Sequence, residues 1–117
     1  MAKDTLKKHA GNSMSNLKTL VDNSINKNYH AKDLYIGHTY FLVTSEDELK
    51  LRLRYQILPI LREYYENGVL SGVDDANWKP INKPATNVDE INALKEYLQG
   101  KTDSMENVEN IYNLLIS

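Results

Sequence analysis

The stretch Ser45–Gly68, SEDELKLRLRYQILPILREYYENG, decides how the rest of the chain is read. Ser45 and Glu48 stand at capping-box spacing, and Glu46 and Asp47 add negative charge where the helix dipole favours it. Gly68 sits where a helix would close on a left-handed residue. Between these ends, Glu46–Lys50, Glu48–Arg52 and Arg62–Glu66 are opposite charges one turn apart. At about 100° per residue, Leu49, Leu53, Ile57, Ile60, Leu61 and Tyr64 form one apolar stripe roughly 120° wide. Leu51, Leu58 and Tyr65 fall on the other side, so this helix is expected to touch neighbours on two faces. Pro59 in the interior removes the backbone bond to residue 55 and predicts a kink.

Three further helices are read from the same periodicity. Leu17, Leu20, Val21 and Ile25 share a stripe, with Ser13 or Ser15 as N-cap and Asn26, Asn28 and Tyr29 as the break. Asn87 with Glu90 opens a helix using Val88, Ile91, Leu94 and Leu98 that stops at Gly100. Ser104 begins a last one through Val108, Ile111, Tyr112 and Leu115. Residues 1–13, with few apolar side chains and ending in Gly-Asn-Ser, read as a flexible lead-in or a sequence foreign to the domain. Residues 14–117 read as a single helical domain. The stretch from Ser71 to Asn87 is turn and loop chemistry, with Trp78 pinned against the core.

One segment breaks the pattern. DLYIGHTYFLV, Asp33 to Val43, is dense in aromatic and β-branched residues. As a strand it would bury Ile36, Tyr40 and Leu42 on one face and Thr39, Phe41 and Val43 on the other. No convincing second strand exists; NWKPI, Asn77 to Ile81, is the one weak candidate, and its proline limits pairing. The segment is therefore expected to be an irregular extended cover over helices, or half of a structure completed elsewhere. Gly37 suggests a positive φ or a close approach, and His38 an uncharged imidazole bonded to backbone. The expected fold is mainly α, a small bundle of about four helices with one short extended segment.

Composition narrows the function. At 117 residues the chain can bury one core, and its 41% hydrophobic and 26% charged content is that of a globular domain. A net charge of −2 argues against an autonomous DNA-binding module. Residues 1–70 carry ten basic and eight acidic side chains; residues 86–117 carry two and six. No apolar window nears the roughly 18 residues of a membrane span. The absence of cysteine fits a cytoplasmic location and removes thiolate metal sites.

Catalytic constellations are missing. No glycine lies in a phosphate-binding loop, and His9, His30 and His38 lack metal-ligand spacing. Ser24 and Ser45 have no nucleophile elbow, and Asp47 with Glu48 is explained by a helix start. Lys50, Arg52, Arg54 and Arg62 do not form one stripe; they read as solvated flanks, though one guanidinium could reach a nucleotide held by another chain or domain. No catalytic residue and no metal ligand is assigned.

Two blocks, YIGHTYFLV and RYQILPILREYYENG, resemble the C-terminal part of McrB-like AAA+ proteins, whose members carry IGHSYF followed by a helix of the form yeIiPLLeEYf. Ile36, Gly37, His38, Tyr40 and Phe41 match the signature, with Thr39 in place of serine. Ile57, Pro59, Leu61, Glu63, Tyr64 and Tyr65 match the second block in order and spacing. The preceding NLKTLVDNSIN is similar to the helix leading into the signature. The resemblance covers roughly Leu17 to Asn67 and leaves residues 71–117 outside it.

This family supplies the NTP-hydrolysing motor of modification-dependent (type IV) restriction systems. The resemblance implies the non-catalytic helical lid that comes after the nucleotide-binding core, closing the nucleotide pocket and touching neighbouring subunits of a ring. GTP or ATP with magnesium would belong to the parent protein, with no cofactor in this chain. A nuclease subunit and DNA would be met through the parent complex alone. On this reading His38 pins the signature segment, while Ile36, Tyr40 and Phe41 lock it onto the Pro59 helix. The other reading is a free-standing helical protein-interaction module whose aromatic patch docks a protein.

Overall fold

The computed structural model describes residues 1–82 and 87–117; the loop positions 83 to 86 lie outside the described residues. The architecture is all-helical. It comprises α1 (Lys3–Ser24), α2 (Glu46–Arg52), α3 (Leu58–Glu66), α4 (Val88–Leu98) and α5 (Met105–Ile116), with short 3-10 turns between them. A π-helical turn, Leu53–Ile57, joins α2 to α3 in one rod. Among the described residues the bundle is thus built from four helical rods, as the periodicity implies.

The rod starts and stops as its sequence dictates. Ser45 Oγ accepts from the Glu48 amide at 3.1 Å, while Glu48 Oε1 reaches back to the Thr44 amide at 3.0 Å. At the far end Gly68 takes φ +76°, and the Val69 amide bonds Tyr64 O at 2.9 Å. Gly100 repeats this closure after α4, with φ +75° and Lys101 N bonding Glu96 O at 2.9 Å. Pro59 stands in the first turn of α3 directly after the π turn. Lacking an amide hydrogen, it cannot bond Tyr55 O, and the ladder widens there. The wider turn rotates α3 about the rod axis, so Leu58, expected opposite the main stripe, is fully buried. Leu51 remains on the outside, 56% exposed.

Two expectations are corrected. No strand exists among the described residues, so the 33–43 segment is not extended throughout. It folds instead through 3-10 turns at Ala31–Asp33 and His38–Phe41. With no partner strand, its amides close locally: Leu34 N on Ala31 O at 2.9 Å, Tyr40 N on Gly37 O at 3.2 Å, Leu42 N on Thr39 O at 3.3 Å. The first helix, moreover, does not begin at Ser13 or Ser15. It runs from Lys3 through Gly11, without a side-chain cap. Tertiary contact selects it: Ala10 and Ser13 are buried, and the Asn12 and Asn16 amides bond the last carbonyls of α5. These are Ile116 O at 3.0 Å, Leu115 O at 2.8 Å and Ser117 O at 3.2 Å. α1 therefore supplies a cap to another helix.

The core lies where the rods meet. α4 and α5 form a hairpin, α5 lies along α1, and α3 packs on α4. Leu17, Leu20, Leu53, Leu61, Leu94 and Leu115 are all buried in one cluster. Gly72 allows a close approach: a Cβ there would lie 2.9 Å from Ser24 O. Trp78 rests half-buried beside it and donates from Nε1 to Ser24 Oγ at 2.8 Å. Val88, assigned to the apolar face of α4, is instead 67% exposed.

Candidate functional site

The signature segment divides into an inward and an outward half. Ile36 and Phe41 are buried and Tyr40 is half-buried. The 38–41 turn packs between α1 and α2, and Arg52 Nη1 donates to Thr39 O at 3.3 Å. Thr39, Gly37 and His38 face solvent. Of the second block, Ile57 and Leu61 are buried, Tyr64 and Tyr65 half-buried, and Pro59 and Glu63 exposed. Burial first, then the Glu63 charge and the Tyr40 phenol, push the Tyr64 phenol above its ordinary range. Tyr40 and Tyr64 therefore bring the two blocks within electrostatic reach of each other.

Two residues do not do what their context suggested. His38 is exposed and makes no hydrogen bond among the described residues, so it is not a backbone-bonded pin. The turn brings Tyr40 and Phe41 inward and leaves the imidazole outside. Gly37 has φ −62°, with Thr39 Oγ1 at 4.0 Å from its would-be Cβ. Neither positive φ nor a close approach explains the glycine.

The cations expected as solvated flanks are fastened to structure. Lys50 meets Glu46 at 3.5 Å and Glu109 at 3.0 Å. Arg54 donates to Asp103 O at 3.4 Å and to the sulfur of Met105. Arg62 bonds Tyr97 O at 2.8 Å and Thr102 O at 3.2 Å, its guanidinium 3.9 Å from the Tyr97 ring centroid. Together Arg54 and Arg62 tie the rod to the α4–α5 loop, beside a hollow of about 540 Å³ whose walls include Glu63, Glu66 and Asp103. Carboxylates on that wall oppose a phosphate.

The serines are equally occupied, Ser24 by Trp78 and Ser45 by its helix. Among the described residues, no group of three or more His, Cys, Asp or Glu could hold a metal ion. No described helix is long and apolar enough to cross a membrane.

Sequence reading missed a second set of contacts. Asp74 accepts from Tyr65 Oη at 2.8 Å and from Gln99 at 2.9 Å, and these bonds, Gln99 first, hold its carboxyl below the usual range. Tyr112 is buried under Lys50, whose ammonium lies 4.9 Å from the ring centroid. Its hydroxyl makes no hydrogen bond of normal geometry among the described residues. Such contacts join residues far apart in sequence, and local spacing carries no trace of them.

Burial, then the charge of Glu46, raises the Tyr112 phenol well above its ordinary value of 10.0. A raised acid gives stability that is whole below pH 10.0 and falls as pH climbs toward the folded-state value. Thermal melts from pH 7 to 11 should show a loss of Tm beginning near pH 10, shallower in Tyr112→Phe. At pH 7 that variant should stay within about 1 kcal/mol of the parent, since the hydroxyl makes no hydrogen bond of normal geometry among the described residues. An unchanged alkaline slope would remove Tyr112 as its source.

The observed class, among the described residues, is a small all-helical bundle with a signature turn that is half buried and half exposed. Residues 14–69, just under half of the chain, match the family model described as "McrB, alpha-helical lid domain". This part of the chain is similar to the McrB-like AAA+ lid, and both motif blocks fall inside it. No curated protein matches the chain, and no solved structure does.

Proposed function

We propose that the chain works as the non-catalytic helical lid of an McrB-like AAA+ NTPase. In that role it closes over GTP or ATP with magnesium held by an upstream nucleotide-binding domain, and contacts the neighbouring subunit of a ring. The observation that carries this reading is the family match over residues 14–69. Arg52, Arg54 and Arg62 bond to backbone carbonyls, which supports a role that leaves the phosphates to the upstream domain. The chain's contribution is shape, a rigid rod with a signature turn clamped to it. Restriction of modified DNA, a nuclease partner and a cytoplasmic location come with the parent complex.

A second reading, a free-standing interaction module, draws on α4 and α5. They lie outside the matched segment yet share the one core. Two measurements test these readings. Purified chain given GTP or ATP with magnesium should release phosphate no faster than buffer; turnover would sink the lid reading. A Walker A and B pair in the coding sequence immediately upstream supports the lid, and unrelated upstream sequence supports the module.

A further inference from the structure

We propose that the step Asn67–Gly68 is a self-modification site, shielded by the closure of the rod and converted to aspartate and isoaspartate when that closure opens. It is the one Asn-Gly step in the sequence, and both residues are exposed at the end of α3. Asparagine is a thermolabile residue, and glycine, lacking Cβ, presents the least hindered amide nitrogen to it. That nitrogen attacks Asn67 Cγ. The Cγ–Nδ2 bond breaks, the Gly68 amide proton leaves with the ammonia, and a cyclic succinimide remains. Water then opens the ring. Addition at Cγ gives an aspartate at position 67; addition at the main-chain carbonyl carbon gives isoaspartate, with the chain running through Cβ and Cγ. Water is consumed and ammonia is lost, with no other reagent needed.

The folded turn opposes the attack in two ways. Asn67 has φ −87° and ψ 9°, so the Gly68 nitrogen eclipses the Asn67 nitrogen, whereas ring closure needs it to eclipse Cβ. The Gly68 amide also donates to Tyr65 O at 3.0 Å, beside the Val69 amide on Tyr64 O at 2.9 Å. These are the paired bonds of a Schellman closure. Val69 O accepts in turn from the Asn26 amide at 2.8 Å, which latches the turn to the end of α1. At φ +76° the position after Asn67 favours glycine. The closure that demands the reactive step is therefore also what shields it.

Conversion loosens the turn that held it back. A carboxylate at position 67 meets the negative end of the helix dipole and joins Glu63 and Glu66 on the wall of the 540 Å³ hollow. Isoaspartate inserts a methylene into the backbone, which throws the Gly68 and Val69 amides out of register with their carbonyls. The inference does not rest on the lid reading, since the chemistry needs this turn alone.

Incubation of the full chain in mildly alkaline buffer, with peptide mapping by mass spectrometry, tests it. Asn67 should be the first asparagine converted, about tenfold more slowly in the folded chain than in urea that unfolds it. Val69→Ala keeps both reacting residues and trims a buried side chain of the closure. With a native CD spectrum as control, it should speed conversion about threefold in buffer and leave the rate in urea unchanged. The isoaspartate fraction, separated by ion exchange, should melt below the parent. Equal rates in buffer and urea, another asparagine converted first, a folded Val69→Ala chain converting at the parent rate, or an isoaspartate fraction with the parent Tm would each overturn the proposal.

Discussion

A chain cut after Leu70 is expected to lose its cooperative thermal transition. The cut removes α4 and α5, and with them Leu94, Leu98, Ile111, Leu114 and Leu115, each at most 1% exposed. Full burial of such a side chain stabilises by about 1.5–3 kcal/mol. Five of them approach the whole stability of a domain this size, about 5–15 kcal/mol. The same cut removes the carbonyls that the Asn12 and Asn16 amides bond, and those through which Arg62 holds the α4–α5 loop. The readout is the CD melt at 222 nm of residues 1–70 beside the full chain. A sigmoidal transition near the full-length Tm would show that the segment carrying the family match stands without its neighbours.

The second large effect is expected at Phe41, set against His38 three residues earlier. Phe41 is buried in the signature turn, in the cluster shared with α1 and the rod. Phe41→Ala should cost about 3–5 kcal/mol, the usual range for emptying an aromatic site. In a domain of this size that lowers Tm by roughly 10–25 °C. His38→Ala removes an exposed ring that makes no hydrogen bond among the described residues and should stay within about 0.5 kcal/mol. Urea titrations of both variants decide the matter. Equal destabilisation would mean that the imidazole holds the turn after all.

That contrast shows where sequence reading reaches and where it stops. Ser45, Gly68, Asn87, Gly100 and Ser104 act at helix ends through atoms a few residues away, and each stands as its local chemistry requires. The apolar stripes were legible too, because burial tracks helical periodicity. His38 was not: three residues from Phe41, it faces solvent because of the way a 3-10 turn distributes side chains, which aromatic density does not reveal. Lys3 to Ser13 was not legible either. Its helix is selected by α5, whose carbonyls meet Asn12 and Asn16 from 104 and 99 positions away. The resemblance was legible because Ile36–Phe41 and Ile57–Tyr65 keep order and spacing along the chain. Residues 71–117 offered no such label, yet they supply two of the four rods.

The seam between α1 and α5 also sets a timetable. Synthesis proceeds from the N-terminus at about 5–20 residues per second. Asn16 and the Leu115 carbonyl it bonds are 99 positions apart, so roughly 5–20 s separate their manufacture. For that interval Leu17 and Leu20, both fully covered in the finished domain, have no α5 to lie against. α1 waits for α5 before its apolar face is closed, and that wait leaves the segment exposed on the ribosome.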